Sequence, residues 1–175
     1  GDVIRAYAED HQNTSDLALE LPTGTGKTLP GLLIGEWVRR KRTGTVIYAT
    51  PTKQLARQVA MAAEREGVPA ALLIGSAIYW DPADEASVEG YEAIGITTYS
   101  AIFNSSPKVP ESRLLIFDDA HAGEQFVGNE YGISIRRHND KEAYFDVLEA
   151  LAPFLSGLLF QRLKGKPDPG AHHQV

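Results

Sequence analysis

Short apolar runs alternate with helical stretches between Leu17 and Phe117, and this alternation restricts the possible fold more than any other feature of the sequence. The runs are rich in Val, Ile, Leu and Ala, which is typical of strands buried on both faces of a sheet. The intervening stretches are long enough to connect one parallel strand to the next. The sequence therefore predicts an α/β domain with a mostly parallel sheet covered by helices on both faces. The five predicted strands are Leu17–Leu21, Thr45–Ala49, Ala70–Ile74, Ala93–Thr97 and Arg113–Phe117.

The C-terminal part of the chain is predicted to be helical. From Asp140 to Leu163, apolar residues recur at spacings of three and four, and Pro153 is expected to kink this stretch or split it into two helices. The last residues, 164–175, are rich in Pro and Gly and are predicted to form a loop or tail. We expect residues 1–121 to form the core of one domain and residues 122–175 to be a helical continuation or insertion of it.

Composition narrows the functional classes. With 17 Lys and Arg against 23 Asp and Glu, the formal net charge is −6, so any contact with nucleic acid must be local. The absence of cysteine excludes disulfides and cysteine-ligated metal sites. The sequence contains neither an apolar run long enough for a membrane helix nor a secretory signal at its start. We expect an intracellular protein, cytoplasmic or, in a eukaryote, nuclear, without a membrane partner.

A glycine-rich loop follows the first predicted strand. Residues Pro22–Thr28 read Pro-Thr-Gly-Thr-Gly-Lys-Thr and precede a helix predicted from Lys27 onward. In this context the glycines let successive N–H groups point inward, and the helix N-terminus adds a positive dipole. Lys27 can then reach β- and γ-phosphates, and the Thr28 hydroxyl can ligate Mg²⁺, although Leu21 replaces the first glycine of the strict pattern. The residues predicted to bind the polyphosphate are Thr23, Gly24, Thr25, Gly26, Lys27 and Thr28.

Two carboxylates and an imidazole follow the last predicted strand. Asp118, Asp119 and His121 stand at its C-terminal end, and ligands of open α/β sheets bind at that edge. Asp118 can hold Mg²⁺ through its water shell, and Asp119 can orient or deprotonate an attacking water molecule. The alternative is that one of the two carboxylates caps the next helix.

Four segments in this order resemble the motifs of a known family. Leu21–Thr28 looks like motif I, Ala49–Gln58 is similar to motif Ia, Thr97–Ser100 to motif Ib, and Asp118–His121 to motif II. Together they resemble the first RecA-like domain of superfamily 2 helicases and translocases, the DEAD/DEAH-box group. The resemblance covers about residues 17–121.

This resemblance implies a three-layer P-loop NTPase that binds ATP and Mg²⁺ and contacts the backbone of DNA or RNA. It also implies a second RecA-like domain, absent from this chain, which supplies arginine fingers and closes the nucleotide cleft; the chain then looks like a fragment of weak or no activity alone. The implied catalytic residues are Lys27, Asp118, Asp119 and His121, and the implied metal ligands are Thr28 and Asp118. The implied nucleic-acid contacts are Thr52, Lys53, Arg57 and Thr98.

Two other functions are weighed against an ATP-hydrolysing helicase or translocase. Asp119 stands where this family usually has Glu, which favours a nucleotide-dependent binding module with little or no hydrolysis. A small-molecule kinase also uses a phosphate loop, but the sequence offers no clear acceptor pocket or lid. Tyr79 and Trp80 follow the third predicted strand and either stack on a base or belong to the packed interior or a surface loop.

Overall fold

A computed structural model describes residues 2–21 and 26–165 of the chain. The chain divides into two compact units, with the boundary between Tyr131 and Gly132. The first holds a parallel α/β sheet and the second holds helices. The prediction of a core over residues 1–121 and a continuation over 122–175 stays a prediction.

The first unit contains all the strands found in the described part of the chain. Its helices are α1 (Asp2–Ala6, continued by a π-helical turn at Tyr7–His11), α2 (Thr28–Arg40), α3 (Lys53–Arg65), α4 (Pro82–Glu89), α5 (Tyr99–Ile102) and α6 (Ala120–Tyr131). Its strands are β1 (Thr45–Thr50), β2 (Ala70–Leu72), β3 (Ile94–Thr98) and β4 (Ser112–Phe117), and a 3₁₀ turn spans Ala77–Tyr79.

The four strands form one parallel sheet in the order β2-β3-β1-β4. Successive side chains of a strand point to opposite faces of its sheet, so alternate residues of β1 pack in two different cores. Val46 and Tyr48 pack with Leu32 of α2 and Val59 of α3 on one face. Ile47 packs with residues including Val88 of α4 on the other face. Helices therefore cover both faces, and the predicted three-layer α/β fold is confirmed.

The prediction of a strand at Leu17–Leu21 is wrong. These residues form neither a helix nor a strand, and the side chains of Leu17 and Leu19 are 38% and 46% exposed. An apolar run becomes a strand only if its backbone groups find a neighbouring strand to pair with. The other four predicted strands form, with ends shifted by at most two residues.

The second unit is helical, as predicted. Helix α7 (Lys141–Leu151) is followed by a 3₁₀ turn at Ala152–Phe154 and by α8 (Gly157–Leu163). Pro153 thus interrupts the helical stretch, because proline lacks the N–H that continues a helix. The hydroxyl of Tyr144 in α7 donates to the carbonyl of Leu163 in α8 at 3.0 Å.

Candidate functional site

The carboxyl ends of the parallel strands meet at one edge of the sheet, and most of the predicted site residues lie there. Asp118 directly follows β4, and its backbone N–H donates to the carbonyl of Ala49 in β1 at 2.9 Å. Asp118 therefore continues the pairing of β4 with β1 by one further bond. Asp118 is thereby held beside the end of β1, one of the two inner strands of the sheet.

Lys27 and Thr28 lie at the start of α2, the first helix after the glycine-rich segment. Gly26 has a φ of +76°, a left-handed conformation that favours glycine. Its carbonyl accepts a hydrogen bond from the N–H of Leu29 at 3.2 Å, which closes the first turn. The predicted phosphate-binding residues Thr23, Gly24 and Thr25 lie outside the described residues.

The phenol of Tyr48 links the start of α2 to the end of β4. Tyr48 is a buried residue of β1, and its hydroxyl lies close enough to the side chains of Thr28 and Asp118 to interact with both. Burial raises the pKa of this phenol strongly, and the Asp118 charge raises it further, so Tyr48 stays protonated. The hydroxyl therefore lies near both predicted metal ligands, which come from segments far apart in the sequence.

Burial also raises the pKa of the Asp118 carboxyl above its ordinary value. The hydrogen bond from Tyr48 lowers it, the Asp119 charge raises it, and the Lys27 ammonium lowers it. Lys27 lies near enough to Asp118 for its charge to act on the carboxyl, and Thr28 follows Lys27 directly at the start of α2. A partly desolvated carboxylate beside a hydroxyl and an ammonium is well matched to a cation carrying phosphates.

Gly31 of α2 allows Tyr48 to approach this closely. A Cβ atom on Gly31 would lie 2.9 Å from Cε2 and 3.3 Å from the hydroxyl oxygen of Tyr48. Contacts of 2.9 Å are too short for carbon atoms, so a larger residue would displace the ring. The sequence alone did not single out Gly31 or Tyr48, because both fit an ordinary apolar pattern.

Asp119 adopts a left-handed backbone conformation, with φ of +57°. The hydroxyl of Tyr99, a buried residue of α5, lies 2.6 Å from the carbonyl of Asp118 and 3.1 Å from that of Asp119. Burial, followed by the charges of Asp118 and Asp119, raises the pKa of Tyr99 to about 12, so the phenol is a permanent donor. Tyr99 therefore supports the turn from beneath, while the Asp119 residue itself is exposed.

His121 lies in the first turn of α6, and its residue is exposed. The carbonyl of Asp119 accepts a hydrogen bond from the N–H of Ala122 at 2.9 Å, so the turn after β4 leads directly into this helix. The acidic pair and His121 thus follow one another across the strand-to-helix junction. These three residues lie close together because they are adjacent in the sequence, without any long-range contact.

Three of the predicted nucleic-acid contacts lie at the start of α3, next to the end of β1. Thr52 is the N-cap of this helix, and its hydroxyl accepts from the N–H of Leu55 at 3.2 Å. Lys53 and Arg57 are both exposed. Because they are four residues apart on one helix, they lie on the same face. A local positive face thus exists despite the negative net charge.

The fourth predicted contact, Thr98, is buried. It is only 3% exposed, and its hydroxyl lies 3.0 Å from that of Ser100. Ser100 is exposed at this same edge of the sheet. Ser100 belongs to the segment similar to motif Ib but is not among the predicted contacts, since only the fold shows which hydroxyl is accessible.

A protein-only metal cage is not present among the described residues, which contain no group of three or more His, Cys, Asp or Glu placed to hold an ion. Mg²⁺ bound with a nucleotide needs no such cage, because phosphates and water supply most of its ligands. The oxygen atoms of Thr28 and Asp118 fit this requirement. In residues 2–21 and 26–165, every helix is too short or too polar to cross a bilayer.

Comparison with models of protein families shows to which family the chain belongs. The model of the family described as DEAD/DEAH box helicase matches residues 3–143. The chain belongs to this family. No curated protein and no solved structure matched the chain. Membership in the DEAD/DEAH box family implies a RecA-like P-loop fold and nucleic-acid-dependent ATP binding.

Proposed function

We propose that this helicase domain binds Mg-ATP at the sheet edge between the start of α2 and the end of β4, and hydrolyses it in response to nucleic acid. The observation that carries this proposal is that the start of α2, which bears Lys27 and Thr28, lies near Asp118 at the end of β4. The Lys27 charge acts on Asp118, and the Tyr48 hydroxyl interacts with both Thr28 and Asp118. Those residue types are the ones that phosphoryl-transfer sites of the P-loop class use.

Each group has a separate role in the proposed site. Lys27 contacts the β- and γ-phosphates, and Thr28 and Asp118 hold the Mg²⁺ ion, which neutralises charge that develops on the phosphates. The glycine-rich sequence Pro22–Thr28 is the one expected to bind the phosphates. Burial makes the charged form of the Asp118 carboxyl less favourable. A bound cation offsets this cost, so Asp118 is suited to hold the metal ion.

Asp119 orients the attacking water molecule. Its exposed carboxylate follows Asp118 directly, so one strand end supplies both the metal ligand and the water-orienting group. His121 follows on α6 and connects this site to the nucleic acid and to a second RecA-like domain. That second domain, in the proposal, supplies the arginine groups that complete the transition-state site.

A single strand of DNA or RNA lies along the same sheet edge, in contact with Thr52, Lys53 and Arg57. These contacts go to the sugar-phosphate backbone and carry little sequence information. Because Thr98 is buried, we propose that the exposed hydroxyl of Ser100 contacts the strand in its place and that Thr98 orients Ser100.

The proposal is tested by phosphate release from ATP in a protein that carries this chain together with a second RecA-like domain. Single-stranded nucleic acid is expected to accelerate release in the wild type. Asp118→Asn should abolish the acceleration, and Asp119→Asn should reduce it at least about 100-fold while nucleotide binding survives. Asp146→Asn, an exposed carboxylate in α7, is the matched control. Equal stimulated rates for Asp119→Asn and the wild type would contradict the role of Asp119. Nucleotide binding without stimulated release in the wild type would instead indicate a nucleotide-dependent binding module.

A further inference from the structure

Two neighbouring apolar side chains are exposed on the segment between β2 and α4. Ile78 and Tyr79 are 80% and 82% exposed, whereas the adjacent Trp80 is only 7% exposed. Sequence alone left open whether the aromatic pair stacks on a base, packs in the protein or lies in a surface loop. The structure separates the two residues, since Trp80 packs in the core and Tyr79 does not.

The Tyr79 ring is presented on a well-supported turn. The N–H of Tyr79 donates to the carbonyl of Ser76 at 3.0 Å, and the N–H of Trp80 donates to that of Ala77 at 3.0 Å. Trp80 anchors the end of this turn in the core cluster that contains Leu73. An aromatic ring held on a fixed backbone loses little conformational entropy when a flat partner stacks on it.

The turn lies at the same sheet edge as the proposed nucleic-acid contacts. Strand β2 runs parallel to β3, with Leu72 paired to Ile96, so the segment after β2 emerges at the same edge of the sheet as the end of β3, which in turn lies beside β1. A Cβ atom on Gly75 would lie 3.9 Å from the Nζ atom of Lys53. The ammonium proposed to contact phosphate therefore reaches the segment that carries Tyr79.

We propose that Tyr79, with Ile78 beside it, is a stacking surface for one unpaired base of the strand whose phosphate contacts Lys53. This inference rests on the proposed function and adds a base contact to its backbone contacts. A positive charge and an exposed ring at one edge match the alternation of phosphate and base along a single strand. Since a base in a duplex is already stacked on its neighbours, the contact favours single-stranded over double-stranded nucleic acid.

The test measures binding of fluorescent oligonucleotides to this chain by anisotropy at several salt concentrations. One probe is a 15-nucleotide thymidine strand, and the other is an abasic strand of equal length. Tyr79→Ala should weaken binding of the thymidine strand at least about fivefold and leave binding of the abasic strand unchanged. Tyr79→Phe should restore most of the affinity, because stacking needs only the ring. Met61→Ala, an exposed apolar residue in α3, is the control and should bind both strands like the wild type.

Salt dependence separates stacking from charge. Lys53→Ala should weaken the binding of both strands. It should also reduce the slope of the logarithm of the binding constant against the logarithm of salt concentration by about one, whereas Tyr79→Ala should leave that slope unchanged. If Lys53→Ala has this effect but Tyr79→Ala binds the thymidine strand like the wild type, stacking is refuted and the proposed function stands. An exposed pair that serves a protein partner would give that result. If the wild type binds neither strand up to about 100 µM protein, the nucleic-acid part of the proposed function fails as well.

Discussion

The hydroxyl of Tyr99 lies 2.6 Å from the backbone carbonyl of Asp118, 19 residues further along the chain. This hydrogen bond joins the segment after β3 to the segment after β4. Around the Tyr99 ring, Phe103, Phe117 and Phe126 make edge-on contacts with centroid distances of 5.5 to 6.0 Å. The acidic pair therefore rests on a packed aromatic cluster, and its position depends on the neighbouring strand end.

Tyr99→Phe should lower the free energy of unfolding by about 1 kcal/mol, because it removes one buried hydrogen bond. It should also weaken Mg-ADP binding, since the turn that carries Asp118 loses its support. Urea unfolding and calorimetry of the same samples measure the two effects. Tyr144→Phe removes an equivalent bond to the Leu163 carbonyl in the second unit. The control should lose similar stability and keep its nucleotide affinity, and an equal affinity in both variants would argue against a positioning role.

Gly31→Ala should destabilise the domain by about 1–3 kcal/mol, because the new methyl group overlaps the Tyr48 ring. An alanine in a helix is otherwise favoured over glycine by about 0.5–1 kcal/mol. Gly128→Ala in α6 provides the control, since its methyl group meets no atom within 4 Å and should stabilise the protein. Thermal unfolding compares the two variants. A rise in melting temperature for Gly31→Ala would show that Tyr48 does not depend on this close approach.

Glu36→Gln should cost about 1–2 kcal/mol of stability at pH 7. Glu36 of α2 is nearly buried, and its carboxylate accepts hydrogen bonds from Arg39 and Arg40, each with a shortest distance of 2.6 Å. Burial raises the pKa of this carboxyl, but the hydrogen bonds and charges of both arginines outweigh burial and lower the pKa below its ordinary value of 4.5.

The sign of the pH dependence follows from that lowered pKa. Above pH 4.5 the carboxylate is ionised in both states and the ion pair stabilises the fold fully. As the pH falls below 4.5, Glu36 takes up a proton in the unfolded state first. The stabilisation by the ion pair then decreases and is lost once the pH is below the lower pKa of Glu36 in the folded state. The difference between wild type and Glu36→Gln should shrink over this range in urea titrations. Glu66→Gln, which breaks an exposed pair with Arg65, should change stability by less than about 1 kcal/mol at either pH.

Sequence reasoning predicted the elements whose pattern is local. The runs around Val46 and Ile94 are buried strands, and Pro153 interrupts a helical stretch, as the spacing of apolar residues indicates. The four motifs also identified the right family, because each is a short run of adjacent residues and their order is visible in the sequence itself. The placement of Asp118 at a strand end followed from the same local pattern.

Features that depend on long-range packing were not predictable in this way. Tyr48 looks like any apolar-strand residue until the fold places Thr28 and Asp118 against its hydroxyl. Thr98 is buried at the end of β3, where it pairs with Thr50 of β1, and no spacing in the sequence reveals this pairing. The segment Leu17–Leu21 shows the converse, since a suitable apolar pattern forms no strand in the structure.

Every role proposed for this site requires that nucleotide binds through Lys27. Calorimetric titration of Mg-ATP into this chain should show saturable binding to one site in the wild type and in Lys141→Ala, an exposed lysine in α7. Lys27→Ala should weaken binding at least about 100-fold, because it removes the ammonium that contacts the phosphates. Equal affinity in Lys27→Ala and the wild type would contradict the proposed site.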